Sequence, residues 1–93
     1  MEDKTPLGEE GLRHLPEGWK HSDNALHKTW HFDKFLQMPD FVLKAVSLMN
    51  EVNHHADISM DTKNKVVSIS VTTHSAGCVT RADMEFARML DIL

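Results

Sequence analysis

Cysteine is almost absent: Cys78 stands alone in 93 residues. One thiol cannot staple its own chain, so the fold needs neither a disulfide framework nor an oxidising compartment. Tyrosine is missing altogether. No run of lysine or arginine appears, and the formal charge is −4 at neutrality. That argues against the basic stripe of a direct nucleic-acid binder and against a polybasic membrane anchor. No apolar run is long enough to span a bilayer. The opening residues, Met1-Glu2-Asp3-Lys4, are acidic and lack the apolar stretch of a secretory signal. The expectation is a soluble intracellular protein, cytoplasmic by default, with a nuclear role left open.

A chain of this length makes one small domain, with a core near the lower limit for independent stability. Association with copies of itself would bury apolar area that a short chain cannot bury alone.

Residues 1–10 carry charge, Pro6 and Gly8, and little to bury. They read as a mobile tail, which leaves 11–93 as a single domain. Gly11 to Leu15 fits a short helical turn ended by Pro16 and Gly18. Trp19 opens a first strand. Ser22-Asp23-Asn24 is turn chemistry, and a second strand follows from Ala25 to Phe32. Leu26, Trp30 and Phe32 share one face of it; His27, Thr29 and His31 share the other.

Asp33 is a plausible cap for a helix from about Leu36 to Val52. Phe41, Ala45, Leu48 and Val52 recur at helical spacing, flanked by Val42 and Met49, and Pro39 fits the first turn. Ile58 and Met60 then alternate with polar residues. Asp61-Thr62-Lys63-Asn64 is a turn. Val67, Ile69 and Val71 alternate with Ser68, Ser70 and Thr72, the pattern of a half-buried strand. Thr80 and Asp83 have the spacing of a capping box, with Val79 and Met84 placed as a hydrophobic staple. The helix they start offers Phe86, Met89, Leu90 and Leu93 for packing. The predicted class is α+β: a four-stranded antiparallel sheet with helices packed on one face, in the order α-β-β-α-β-β-α.

The chemistry is concentrated in Asn53-His54-His55-Ala56-Asp57-Ile58 and in Thr72-Thr73-His74. Imidazole, with an unperturbed pKa of about 6.5, both gives and takes protons near neutrality. His54 and His55 follow a helix end, where unpaired carbonyls favour the charged ring, and His74 closes the next long strand. A pocket rimmed by the three could run acid–base chemistry. Plainer readings stand beside it. A histidine after a helix often just meets its last carbonyls. A zinc site is a rival, although adjacent side chains on extended chain point opposite ways and no nearby cysteine or H-x-x-x-H pair supplies further ligands. Ser75 lacks the surroundings of a nucleophile, and Cys78 reads as a small hydrophobe.

These residues resemble the pterin-4a-carbinolamine dehydratase family. Its members carry an H-H-P element after the long helix, T-H at the end of the last strand, and an aspartate nine residues beyond that histidine. His54-His55, Thr73-His74 and Asp83 keep this register. Gly18-Trp19, Trp30, Phe32 and Phe35 resemble the family upstream. The resemblance implies dehydration of 4a-hydroxytetrahydrobiopterin to quinonoid dihydrobiopterin in pterin cofactor recycling. It implies no metal and no cofactor beyond the pterin substrate itself. Carried over by position, His54 and His74 are the acid–base pair and His55 holds the pterin. Asp83, Asn50 and Thr73 would line the substrate site. Three positions depart from the pattern. Asn50 stands where an acidic residue is usual, and Ala56 replaces the proline. The turn around Thr62, Lys63 and Asn64 is longer and lacks an aromatic. The resemblance further implies a homodimer or homotetramer. It leaves one alternative, a non-catalytic pterin-binding or dimerisation-cofactor module that binds a transcription factor.

Overall fold

The structure is a computed structural model, and it describes residues 3–93. Its elements are helix α1 (Gly8–Leu12), strands β1 (Lys20–Ser22) and β2 (Ala25–His31), helix α2 (Gln37–Val52), strands β3 (Asp57–Asp61) and β4 (Val66–Val71), and helix α3 (Arg81–Asp91). A short 3-10 turn, His74–Ala76, lies between β4 and α3. The strands form one antiparallel sheet in the order β1-β2-β4-β3. This is the α+β architecture that the periodicities predict.

Local chemistry explains most joints. Asp23 and Asn24 both have positive φ, 49° and 60°, and Ser22 pairs with Ala25 across them. Two left-handed central residues make the turn whose twist matches a β-hairpin, and Asp and Asn tolerate that geometry well. At the other hairpin, Asp61 accepts hydrogen bonds from the Asn64 backbone N–H and side-chain amide, at 3.1 and 2.8 Å.

The core lies where the alternation of β4 meets the stripe of α2. Val67, Ile69 and Val71 are buried with Leu26 of β2, and they join Met38, Phe41, Ala45 and Met49 of α2 and Phe86 and Leu90 of α3 in one cluster. Trp19, Trp30 and Phe41 continue it as an aromatic chain, with ring centroids 5.7 and then 4.9 Å apart. Burying such faces supplies most of the stability of helices this short. At the last residue of α3, Asp91 accepts the Trp19 indole N–H on both oxygens, at 3.1 and 3.0 Å, and the Lys28 ammonium at 2.7 Å.

Four expectations change. Asp33 does not cap α2. The helix starts a turn later, with Leu36 at its N-cap and no side-chain cap bond, because turns at Lys34 and Phe35 intervene. Leu93 does not pack as the end of α3, which stops at Asp91, and it is partly exposed. The first helix begins at Gly8, before the predicted turn. The expected tail is laid against α3 from Asp3 onward: the Arg81 and Ala82 N–H groups donate to the carbonyls of Thr5 and Asp3, at 2.9 and 2.7 Å, and Leu7 N–H donates to Val79. Those N–H groups open a helix and have no partner within it, so the incoming chain supplies their acceptors. Met1 and Glu2 lie outside the described residues.

Candidate functional site

The site forms where α2 ends, β4 ends and α3 begins. Asn53 terminates α2 in the left-handed conformation, φ 54°, and its N–H returns to the Met49 carbonyl. The His54 N–H returns to the same carbonyl at 3.2 Å. This reversal sends His54 inward, 5% exposed, beside the Phe86 ring. His55, the next residue, is left exposed. Neighbouring residues on non-helical chain part in this way.

β4 ends at Val71, and Thr72 and Thr73 carry the chain to the 3-10 turn. Gly77 closes that turn with φ 71°, a conformation that glycine adopts without steric cost. The hairpin tip braces the turn from outside. The Asn24 amide donates to the Gly77 carbonyl at 2.7 Å, and the Thr72 hydroxyl donates to the Asn24 carbonyl at 2.8 Å. Thr73 is thereby turned inward and buried, while His74 is exposed.

Asp83 joins these pieces and is fully buried. Its Oδ1 lies 2.7 Å from His54 Nε2. Its Oδ2 accepts the Thr73 hydroxyl at 2.8 Å and the Thr80 backbone N–H at 2.8 Å. Thr80 and Asp83 make the reciprocal capping box expected at the start of α3. An ionised carboxylate only accepts, so His54 donates through Nε2–H.

The placement sorts the candidates. His54, Thr73 and Asp83 are brought together in a buried, hydrogen-bonded group. Asn50, on the last turn of α2, is exposed, as are His55 and His74. A hollow of about 550 Å³ has His54 in its wall with Val52, Leu7, Met84, Phe86 and Arg81, but not His55 or His74. Expected ligand contacts by the Asp83 and Thr73 side chains do not fit the geometry. Both are buried, and their polar atoms are engaged by one another, His54 and Thr80. Among the described residues, no three metal-ligating side chains converge. No described helix is long and apolar enough to cross a membrane. Thr80 was legible only as a helix cap; its contact with Thr73 across the site had no signal in sequence.

The fold and this histidine–aspartate arrangement define a class, and the family model described as pterin 4 alpha carbinolamine dehydratase matches residues 5–93. The chain belongs to that family. A protein of Nostoc punctiforme, named as a candidate pterin-4-alpha-carbinolamine dehydratase, is 40% identical over 87 residues, covering 94% of this chain and 89% of the relative. A like-named protein of Sulfolobus acidocaldarius is 37% identical over 75 residues, covering 81% and 80%. Among solved structures, a transcriptional coactivator/pterin dehydratase from Brucella melitensis superposes with a TM-score of 0.82 at 26% identity. It covers 95% of this chain and 97% of its own.

Proposed function

We propose that this protein is a hydro-lyase that dehydrates 4a-hydroxytetrahydrobiopterin to quinonoid dihydrobiopterin. Family membership supports the substrate class. The observation that carries the reading is the 2.7 Å bond between His54 and the buried Asp83, formed by residues in the family's register. In this reaction the C4a–O bond breaks, and the hydroxyl takes up a proton and leaves as water. The N5 proton departs, and the C4a=N5 double bond forms. One group must give a proton and another must accept one. His54 and His74 fill these roles, and positioned imidazoles contribute about 10²–10⁴-fold to such transfers. His55 and Asn50, both exposed, meet the pterin. Asp83 and Thr73 act from behind, on His54. A homo-oligomer belongs to the same reading, since Leu36 just before α2 and Leu43 and Val46 within it are exposed apolar surface that a second copy would cover.

The test is the dehydration of enzymatically generated 4a-hydroxytetrahydrobiopterin. The expected result is acceleration that falls by about 10²-fold or more in His54→Ala and in His74→Ala, and further in the double variant. Folded wild-type protein that does not exceed the uncatalysed rate overturns the reading.

A second reading is a non-catalytic module that binds pterin and a transcription factor. The naming of the Brucella melitensis protein as a transcriptional coactivator and the exposed face of α2 favour it. Pterin binding without turnover, with a helical partner that Leu43→Glu releases, would select it over the first.

A further inference from the structure

We infer that Thr80 is a positioning residue for His54, acting through Thr73 and Asp83, in addition to starting α3. The inference rests on the dehydratase reading only where turnover is the readout.

The direction of the hydrogen bonds follows from counting protons. The Asp83 carboxylate supplies acceptors alone, and a threonine hydroxyl has a single proton to give. Thr73 gives its proton to Asp83 Oδ2, at 2.8 Å. The two threonine hydroxyl oxygens lie 2.7 Å apart, and with the Thr73 proton committed, Thr80 must be the donor. Its other approach to Asp83 is 3.5 Å, too long to compete. The chain therefore runs from Thr80 to Thr73 to Asp83, and Oδ1 remains for His54 Nε2–H.

Every member is nearly or wholly shielded from solvent: Thr80 0%, Asp83 0%, Thr73 4% and His54 5% exposed. In such surroundings hydrogen bonds are strong, and water does not readily replace a lost partner. Without the Thr80 hydroxyl, Thr73 has no donor to hold it and can turn its proton away from Asp83. Oδ2 then keeps the Thr80 backbone N–H alone. The carboxylate gains freedom to rotate, and Oδ1 no longer holds the His54 proton on Nε2. The change also removes the Thr80 half of the capping box, which costs α3 stability, but it leaves the Thr80 N–H to carboxylate bond at 2.8 Å in place. The hydroxyl bridge to Thr73 is what ties the cap to the imidazole.

The experiment compares wild type, Thr80→Val and Thr80→Ser, each labelled with ¹⁵N-histidine. Valine keeps the shape and the backbone N–H; serine restores the hydroxyl. In wild type and Thr80→Ser, the His54 nitrogens should report one tautomer, protonated at Nε2. In Thr80→Val they should report a mixture, with loss of the bonded Nε2 proton signal. Where dehydration is measurable, kcat should fall about tenfold in Thr80→Val with KM little changed, the scale seen for outer partners of ligating histidines, and Thr80→Ser should recover it. A Thr80→Val protein with lower Tm but an unchanged His54 spectrum overturns the inference and leaves Thr80 a cap only. Should Thr80→Val not fold, Thr73→Val breaks the same link from the strand side with the cap hydroxyl intact, and it must show the same mixture. The nitrogen spectrum needs no turnover. A wild-type chain inert toward pterin would defeat the proposed function and leave this test standing.

Discussion

At the start of α2, Leu36 stands in right-handed helical geometry, exposed, with no side-chain cap bond. At the start of α3, Thr80 is extended and buried, and every polar contact of its side chain is internal. The longer helix is held by what it buries along its length: Met38, Phe41, Ala45 and Met49. The shorter one is held at its first turn as well, by a ring of hydrogen bonds that includes His54. A helix secured by packing can lose its cap cheaply. A helix whose first turn is also the support of an imidazole cannot.

The contrast is sharpest in a pair of truncations. Phe41→Ala opens a cavity under α2, and Asp83→Ala strips His54, Thr73 and the Thr80 N–H of their shared acceptor. Each should lower unfolding free energy by about 3–5 kcal/mol in denaturant titrations. Only Asp83→Ala should also lower turnover per folded molecule. Equal loss of turnover in both would erase the distinction. A smaller effect is expected from giving α2 the cap it lacks. Leu36→Ser should gain less than about 0.5 kcal/mol, because a good N-cap has extended backbone and Leu36 does not. A gain above about 1 kcal/mol would show that the start of α2 is limited by its cap after all.

The smallest effect concerns the chain laid on α3. Hydrogen bonds from Thr5, first its side chain and then its N–H, hold the Asp3 carboxyl below the ordinary carboxylate value, and Arg81 adds to this. A carboxyl lowered in the folded state contributes stability above its unfolded pKa, and this is lost as pH falls through the folded value. Thr5→Ala should therefore move the Asp3 titration upward in carbon-detected NMR. Its stability should part from wild type only above about pH 4 and rejoin it in stronger acid. An unmoved Asp3 titration would mean that this segment does not hold its place on α3.

Periodic and local features were readable from sequence. The stripe of α2 and the alternation of β4 follow from 3.6- and 2-residue repeats, and Asp23-Asn24 and Thr80–Asp83 are short-range devices. The meeting of Thr73, His54 and Asp83 was legible only through the family register, since hydrogen bonds across 10 and 29 positions leave no local pattern. The inward His54 and outward His55 depend on Asn53 adopting positive φ, which spacing does not encode. The docking of residues 3–7 uses backbone carbonyls, which every residue has, so composition suggested a tail. Asp33 failed as a cap because suitable side-chain chemistry does not fix where a helix begins.

Asp91 gathers partners 72 and 63 positions away, at Trp19 and Lys28, onto the last residue of α3. Its grip couples the far end of that helix to the hairpin that begins the sheet. Neither piece can peel off without breaking these bonds. In a chain so short, these bonds link local opening at that end of α3 to opening of the hairpin.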